Sequence, residues 1–215
     1  MQQRIALIIG ATGFVGSKLM EVLSQQEDVS EIRILVRKPL AQLPEKVKQY
    51  VTDFTSLTAM EAVFSADVLY CCIGTTRKKT PNLVEYKAID YGITMDVARL
   101  AKSQGCQEIH LVSSVGANSK SSNFYLAIKG EVEQGIQGLG FASCTIYRPS
   151  MLIGERNESR PFERLGQVIT PLFDFFTFGG KYHSIKAEQV AEAMAKIPKE
   201  LGLRYLEYKN MLENS

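Results

Sequence analysis

Tryptophan is absent from this 215-residue sequence, histidine occurs twice and cysteine four times. His110, His183, Cys71, Cys72, Cys106 and Cys144 show no zinc-type spacing, so no metal site is expected. The cysteines read as small buried thiols, and the adjacent Cys71 and Cys72 cannot easily form an ordinary disulfide with each other. An excess of charge of one sign is also missing: 25 basic residues face 23 acidic ones, for a net charge of +2. That balance gives no reason to invoke nucleic acid or a membrane surface as partner. No apolar run approaches the roughly 20 residues that span a bilayer. The first four residues lead straight into a strand-like run and leave no room for a signal peptide, so a cytosolic protein is expected. Internal repeats and low-complexity linkers are absent as well.

What is present begins at residues 5–18, IALIIGATGFVGSK, where an apolar run meets Gly10, Gly13 and Gly16 and then an amphipathic segment. The pattern predicts strand, tight turn and helix. Gly10 permits the turn, Gly13 lets a pyrophosphate approach the backbone, and Gly16 lets the helix pack closely. The free N–H groups and positive dipole end of the new helix would face the phosphates. Phe14, Val15, Leu19, Met20, Val22 and Leu23 follow at spacings that suit one buried helix face.

Strand-like and helical patterns then alternate. Strands are predicted at residues 31–37, 47–51, 67–73, 108–113 and 142–147, with a long helix at 83–104 ended by Gly105 and another from Asn123 to about residue 137. Alternation of this kind implies right-handed crossovers and a parallel sheet covered on both faces, an α/β fold of three layers. The length suits one domain, 1–215, with residues 150–215 forming most of a small substrate-side appendage. That tail holds an aromatic cluster at 171–180, a helix near 187–196 and a last strand-like run at 203–208. Phe173, Phe175, Phe176 and Phe178 read as packing or a subunit contact, and the chain is expected as a monomer or homodimer.

The end of the second strand reports on the cofactor. A sheet that binds NAD places an acidic residue there to bond the ribose hydroxyl, and this chain has Arg37 and Lys38 instead. A guanidinium can hold a 2′-phosphate through paired, charge-assisted hydrogen bonds, so NADP(H) is favoured. Asp53 could accept from the adenine amino group or cap a helix at 55–64. Chemistry is expected at the carboxyl ends of strands 4 and 5. Ile73 and Gly74 close strand 4, where a glycine lets backbone approach the second ribose, and Ser113 and Ser114 end strand 5. Tyr125 and Lys129 lie one helical turn apart and share a face. A phenol is a poor proton carrier at neutral pH unless a neighbouring cation favours its phenolate. The same spacing recurs at Tyr182 and Lys186 and at Tyr205 and Lys209. Only Tyr125 follows a strand that ends in serines, and the other two pairs read as surface groups. His110 reads as a sheet residue with a satisfied ring, while His183 falls near the expected pocket.

The segments IGATGFVG (9–16), LVRK (35–38), CCIGTTR (71–77), DVARLAKSQGC (96–106), HLVSSVGANSKSSNFYLAIKGEVE (110–133) and YRPSMLIGERNESRP (147–161) carry a resemblance that spans nearly the whole chain. The chain resembles the short-chain dehydrogenase/reductase superfamily, and more narrowly its atypical branch typified by the Tat-interactive protein oxidoreductases. The resemblance implies a Rossmann-like, doubly wound parallel sheet. It implies NADPH held by the first loop (Gly10, Thr12, Gly13, Phe14, Val15 and Gly16) and by the Arg37–Lys38 pair. It makes Tyr125 the proton donor with Lys129 beside it, and puts Leu152 and Arg160 at the nicotinamide end. Many relatives have a polar residue where this chain has Val115, which leaves Ser113 or Ser114 to polarise a substrate carbonyl, with Ser114 preferred.

Three functions fit these residues. One is an NADPH-dependent reductase of a small carbonyl compound. Another is a module that binds NADPH as a signal and turns over little or nothing. A nucleotide-sugar epimerase is less favoured, because little chain follows strand 6 to build a sugar-nucleotide lobe.

Overall fold

In β1 (Arg4–Ile9), Ala6 and Ile8 pack into a core on one side of the sheet while Leu7 and Ile9 pack into a core on the other, and all four are fully buried. A strand that is apolar on both faces must be central and covered twice. The computed structural model describes residues 3–153, 184–196 and 200–213. Within them β1 is joined by β2 (Val29–Val36), β3 (Val47–Val51), β4 (Val68–Cys71), β5 (Glu108–Val112) and β6 (Ser143–Tyr147). A separate two-stranded pair consists of β7 (Leu152–Ile153) and β8 (Ile185–Lys186), and β9 (Gly202–Leu206) comes last. The main sheet runs β3-β2-β1-β4-β5-β6-β9, every neighbour parallel. The order reverses between β1 and β4, which opens a crevice at their carboxyl ends.

Helices α1 (Phe14–Ser24) and α5 (Ala187–Lys196) pack on one face together with α6 (Tyr208–Glu213). The other face carries a 3-10 segment (Leu57–Phe64), α2 (Leu83–Lys87), α3 (Thr94–Ser103) and α4 (Phe124–Gly138). This is the expected three-layer, Rossmann-like architecture.

Several boundaries differ from expectation for physical reasons. The long helix predicted at 83–104 is split by a π-helical segment (Ala88–Ile93), though it ends where foreseen, with Gly105 at φ +95° beyond its last turn. Strand 4 stops at Cys71 and not at residue 73, because the Gly10 turn lies against its end: a Cβ on Gly10 would stand 2.5 Å from the Cys72 carbonyl carbon. Residue 53 does not cap a helix. Asp53 Oδ1 accepts from the Thr55 N–H and hydroxyl at 2.9 and 2.8 Å, and the 3-10 segment begins only after Ser56. In the tail, the last strand ends at Leu206, Tyr208 opens α6, and β9 extends the main sheet beside β6.

Candidate nucleotide-binding and catalytic site

The first loop is built by backbone contact. Gly10 has φ +82°, and Gly16 sits so close beneath it that an added Cβ would meet the Gly10 oxygen at 2.3 Å. Gly16 therefore packs on the loop, and the loop in turn packs on the end of β4. Gly13 opens α1 in an extended conformation with no side-chain cap and no acidic residue in the first turn. By contrast, α2 and α4 are capped by the side chains of Asn82 and Asn123. An uncapped start with free N–H groups is a fitting seat for a pyrophosphate. Thr12 is exposed and Phe14 half-buried, while the Val15 side chain belongs to the core and leaves only its backbone for a ligand.

Arg37 and Lys38 lie exposed just past the end of β2, without an ion-pair partner among the described residues. They stand on the β2 side of the crevice, where the adenine ribose of a dinucleotide lies in this fold.

On the other side of the crevice, Lys129 is buried in α4. Its ammonium stands 3.3 Å from Asp90 Oδ2 and donates to the Ile73 carbonyl at 3.5 Å. Asp90, fully buried in the π-helical segment, uses its other oxygen to accept from the Thr75 N–H at 2.8 Å. Burial works against the Lys129 charge, but the Asp90 carboxylate and the Tyr125 phenol outweigh it, and its pKa lies above the ordinary lysine value. Tyr125 sits one turn earlier on α4, half-buried, with its N–H capped by Asn123. Gly74 borders the same space: a Cβ there would lie 3.7 Å from Lys129 Nζ. Tyr125, Lys129, Ile73 and Gly74 thus come together. The sequence reading missed Asp90, although its i, i+4 spacing from buried Tyr86 and to buried Thr94 marks the inner face of that helix.

The two serines differ. Ser113 Oγ donates to Glu133 Oε1 at 2.5 Å, and Arg148 holds the same buried carboxylate with two bonds, at 3.0 and 2.6 Å. Ser114 is buried, and among the described residues its hydroxyl reaches only the neighbouring Val115 carbonyl, at 3.3 Å. Tyr205 lies at the surface as expected, with its ring 4.3 Å from the Arg148 guanidinium and its hydroxyl accepting from Gln137. Both His110 nitrogens are bonded, to Glu108 and to the Tyr147 hydroxyl, each at 2.8 Å. Leu152 is half-buried in β7. Arg160, Tyr182, His183 and the 171–180 aromatic cluster lie outside the described residues.

Comparison with known proteins agrees with this geometry. A family described as NAD(P)H-binding matches residues 10–200. Protein HTATIP2 of Rattus norvegicus is 36% identical over 171 residues, covering 78% of this chain and 70% of that protein. The protein FMP52, mitochondrial, of Candida albicans is 39% identical over 158 residues, covering 71% of this chain and 69% of that protein. Among solved structures, MoeE5 in complex with UDP-glucose and NAD superposes with a TM-score of 0.70 at 16% identity, over 94% of this chain and 75% of its own. The Bordetella bronchiseptica enzyme WbmH in complex with NAD+ gives 0.73 at 12% identity, over 96% and 76%, a likeness of fold alone. No described helix is long and apolar enough to cross a membrane. The glycine cradle, the sheet order and these relatives agree: the chain belongs to the NAD(P)H-binding family, among the atypical short-chain dehydrogenase/reductases of the HTATIP2 and FMP52 kind.

Proposed function

We propose that the protein is a reductase that uses NADPH to convert a small-molecule carbonyl to an alcohol. The observation that carries this reading is the buried Lys129–Asp90 pair beside Gly74, one helical turn from Tyr125. Bound NADPH supplies the hydride to the carbonyl carbon. Tyr125 gives its phenolic proton to the carbonyl oxygen, and the Lys129 ammonium stabilises the phenolate left behind. Lys129 also holds the nicotinamide ribose. Ser114 turns its hydroxyl from the long Val115 contact to the substrate oxygen and steadies the developing charge. Ser113, committed to Glu133, keeps a structural place.

For the cofactor, the Gly10–Gly16 loop holds the pyrophosphate, Arg37 and Lys38 the 2′-phosphate, and the Ile73–Gly74 backbone the second ribose. Leu152 and Arg160 border the nicotinamide. The substrate side falls to the tail beyond residue 150. The working compartment is the cytosol, against the mitochondrial names of the FMP52 relatives, and imaging of a tagged full-length chain separates the two.

A screen of NADPH oxidation against a broad carbonyl panel tests the reading. Tyr125→Phe should retain fold and NADPH binding and lose turnover by roughly 10²-fold or more. Lys129→Met should lose cofactor affinity as well. An active wild type whose rate survives in Tyr125→Phe would rule out this site. NADPH binding with a raised melting temperature and no turnover across the panel would favour the sensing module.

A further inference from the structure

Most cations of the described sheet and helices are paired: Arg4 with Asp28, Arg33 and Lys48 with Glu31, Lys87 with Glu131, Arg148 with Glu133. Two groups at the carboxyl edge of the sheet are not. One is Arg37 with Lys38 after β2, which the cofactor phosphate accounts for under the proposed function. The other is Arg77, Lys78 and Lys79, all exposed in the loop after β4 and without an ion-pair partner among the described residues.

This second loop is tied to the catalytic side of the crevice. Within it, Thr75 donates its N–H to the same Asp90 carboxylate that faces Lys129, and its carbonyl accepts from the Tyr86 hydroxyl at 2.9 Å. The Thr75 and Thr80 hydroxyls bond each other at 2.8 Å, and the Lys79 and Thr80 N–H groups both donate to the Thr76 carbonyl. The turn is thus pinned at both ends, with its three cations at the exposed tip. The Arg77 guanidinium lies 5.7 Å over the ring of Phe124, the residue next to Tyr125, and Tyr86 packs edge-on against that same ring. The Tyr86 phenol lies among these groups: burial raises its pKa, the Asp90 carboxylate and then the Tyr125 phenol add to the rise, and Arg77 opposes it.

We infer that Arg77, with Lys78 and Lys79 beside it, recognises an anionic group on the substrate, so that the natural substrate class is a carbonyl compound bearing a carboxylate or a phosphate. The inference rests on the reductase reading for the word substrate, and on the loop geometry for the charge. The pyrophosphate has the uncapped start of α1 and the 2′-phosphate has the β2 end, so the cations after β4 are left for the second reactant. The cation–π contact with Phe124 holds the Arg77 guanidinium beside the residue next to Tyr125, and a guanidinium suits paired bonds to a carboxylate or phosphate.

The test uses two matched pairs, 4-carboxybenzaldehyde against its methyl ester and glyceraldehyde 3-phosphate against glyceraldehyde. Binding to the NADP+ complex is measured by calorimetry and turnover by NADPH oxidation, for wild type, Arg77→Ala, Arg77→Glu and Arg77→Lys. The wild type should prefer at least one charged member by about tenfold or more, whichever pair shows the effect naming the anion. Arg77→Ala should abolish the preference, Arg77→Glu reverse it, and Arg77→Lys keep part of it, all with unchanged NADPH affinity. Equal binding of charged and neutral members overturns the inference even if both are reduced. So does a tenfold loss of NADPH affinity in Arg77→Ala, which would assign the cation to the cofactor. A charge preference in binding with no turnover supports the anion site and overturns the reductase reading instead.

Discussion

Asp90 and Lys129 form an ion pair across 3.3 Å, with the carboxylate side chain fully shielded and the lysine side chain 8% exposed. The two residues belong to different helical runs, and the π-helical segment at Ala88–Ile93 sets their meeting. Tyr86, Asp90 and Thr94, spaced four apart through this segment, form one buried inward stripe. The Thr94 hydroxyl donates to the Asp90 carbonyl at 2.8 Å and so gives that carbonyl a partner within the widened turn.

Removing the charge of Asp90 should therefore expose the cost of burying Lys129. Asp90→Asn keeps the shape, and its loss should be about 3–5 kcal/mol near neutral pH, read by urea denaturation. The pH dependence has a definite sign. In the wild type the folded Lys129 pKa is raised, so its contribution is complete below the ordinary lysine value and is lost only as pH rises through the higher folded value. In Asp90→Asn burial acts with little opposition, the folded value falls, and stability climbs with pH as the lysine discharges. The gap between the two proteins should narrow from about pH 7 to about pH 10. A gap that stays constant would show that the pair is not what holds Lys129 charged.

The loop glycines should separate fold from binding. Gly16→Ala places a Cβ 2.3 Å from a backbone oxygen, and Gly10→Ala adds a positive φ to a 2.5 Å contact, so each should cost about 3 kcal/mol or more. Gly13→Ala meets the Gly10 oxygen at 3.0 Å and should cost only about 1 kcal/mol, while NADPH affinity falls about tenfold or more. Denaturation and cofactor titration of the three variants give the comparison. Full NADPH affinity in Gly13→Ala would remove the pyrophosphate from this loop.

Cofactor preference should follow Arg37. NADPH should bind at least about tenfold more tightly than NADH, since charge-assisted contacts to a phosphate contribute roughly 1.5–3 kcal/mol. Arg37→Asp should erase that preference by repelling the 2′-phosphate and accepting from a ribose hydroxyl. Equal affinities in the wild type would leave the basic pair without this role.

His110 should make the fold sensitive to mild acid. Burial lowers its pKa against the opposing Glu108 hydrogen bond, and Arg204 and Arg4 lower it further; Tyr70 stacks on one side and Tyr147 bonds Nδ1. The unfolded chain then takes up a proton more readily than the folded one. Stability is complete above the ordinary histidine value, about pH 6.5, and declines as pH falls through the lower folded value. The urea midpoint should drop between about pH 7 and about pH 5.5, and His110→Gln, which keeps hydrogen bonding but does not titrate, should flatten the profile. An unchanged slope in that variant would place the sensitivity elsewhere.

The readable parts of this protein are those that depend on neighbours in sequence. Short apolar runs bounded by turn residues mark β1 to β6, and the spacing of Gly10, Gly13 and Gly16 marks the turn into α1, because strand, turn and helix start are all decided within a dozen residues. Tyr125 and Lys129 were placed on one face by helix geometry alone. Tertiary structure decided what those groups meet. Asp90 opposite Lys129, Glu133 between Ser113 and Arg148, Arg77 over Phe124 and β9 alongside β6 join residues that are distant in the chain or lie on different elements. A charged residue inside a helical pattern reads the same whether it faces water or a buried partner. Only the docking of one element on another removes the water and makes the pairing, and with it the site, definite.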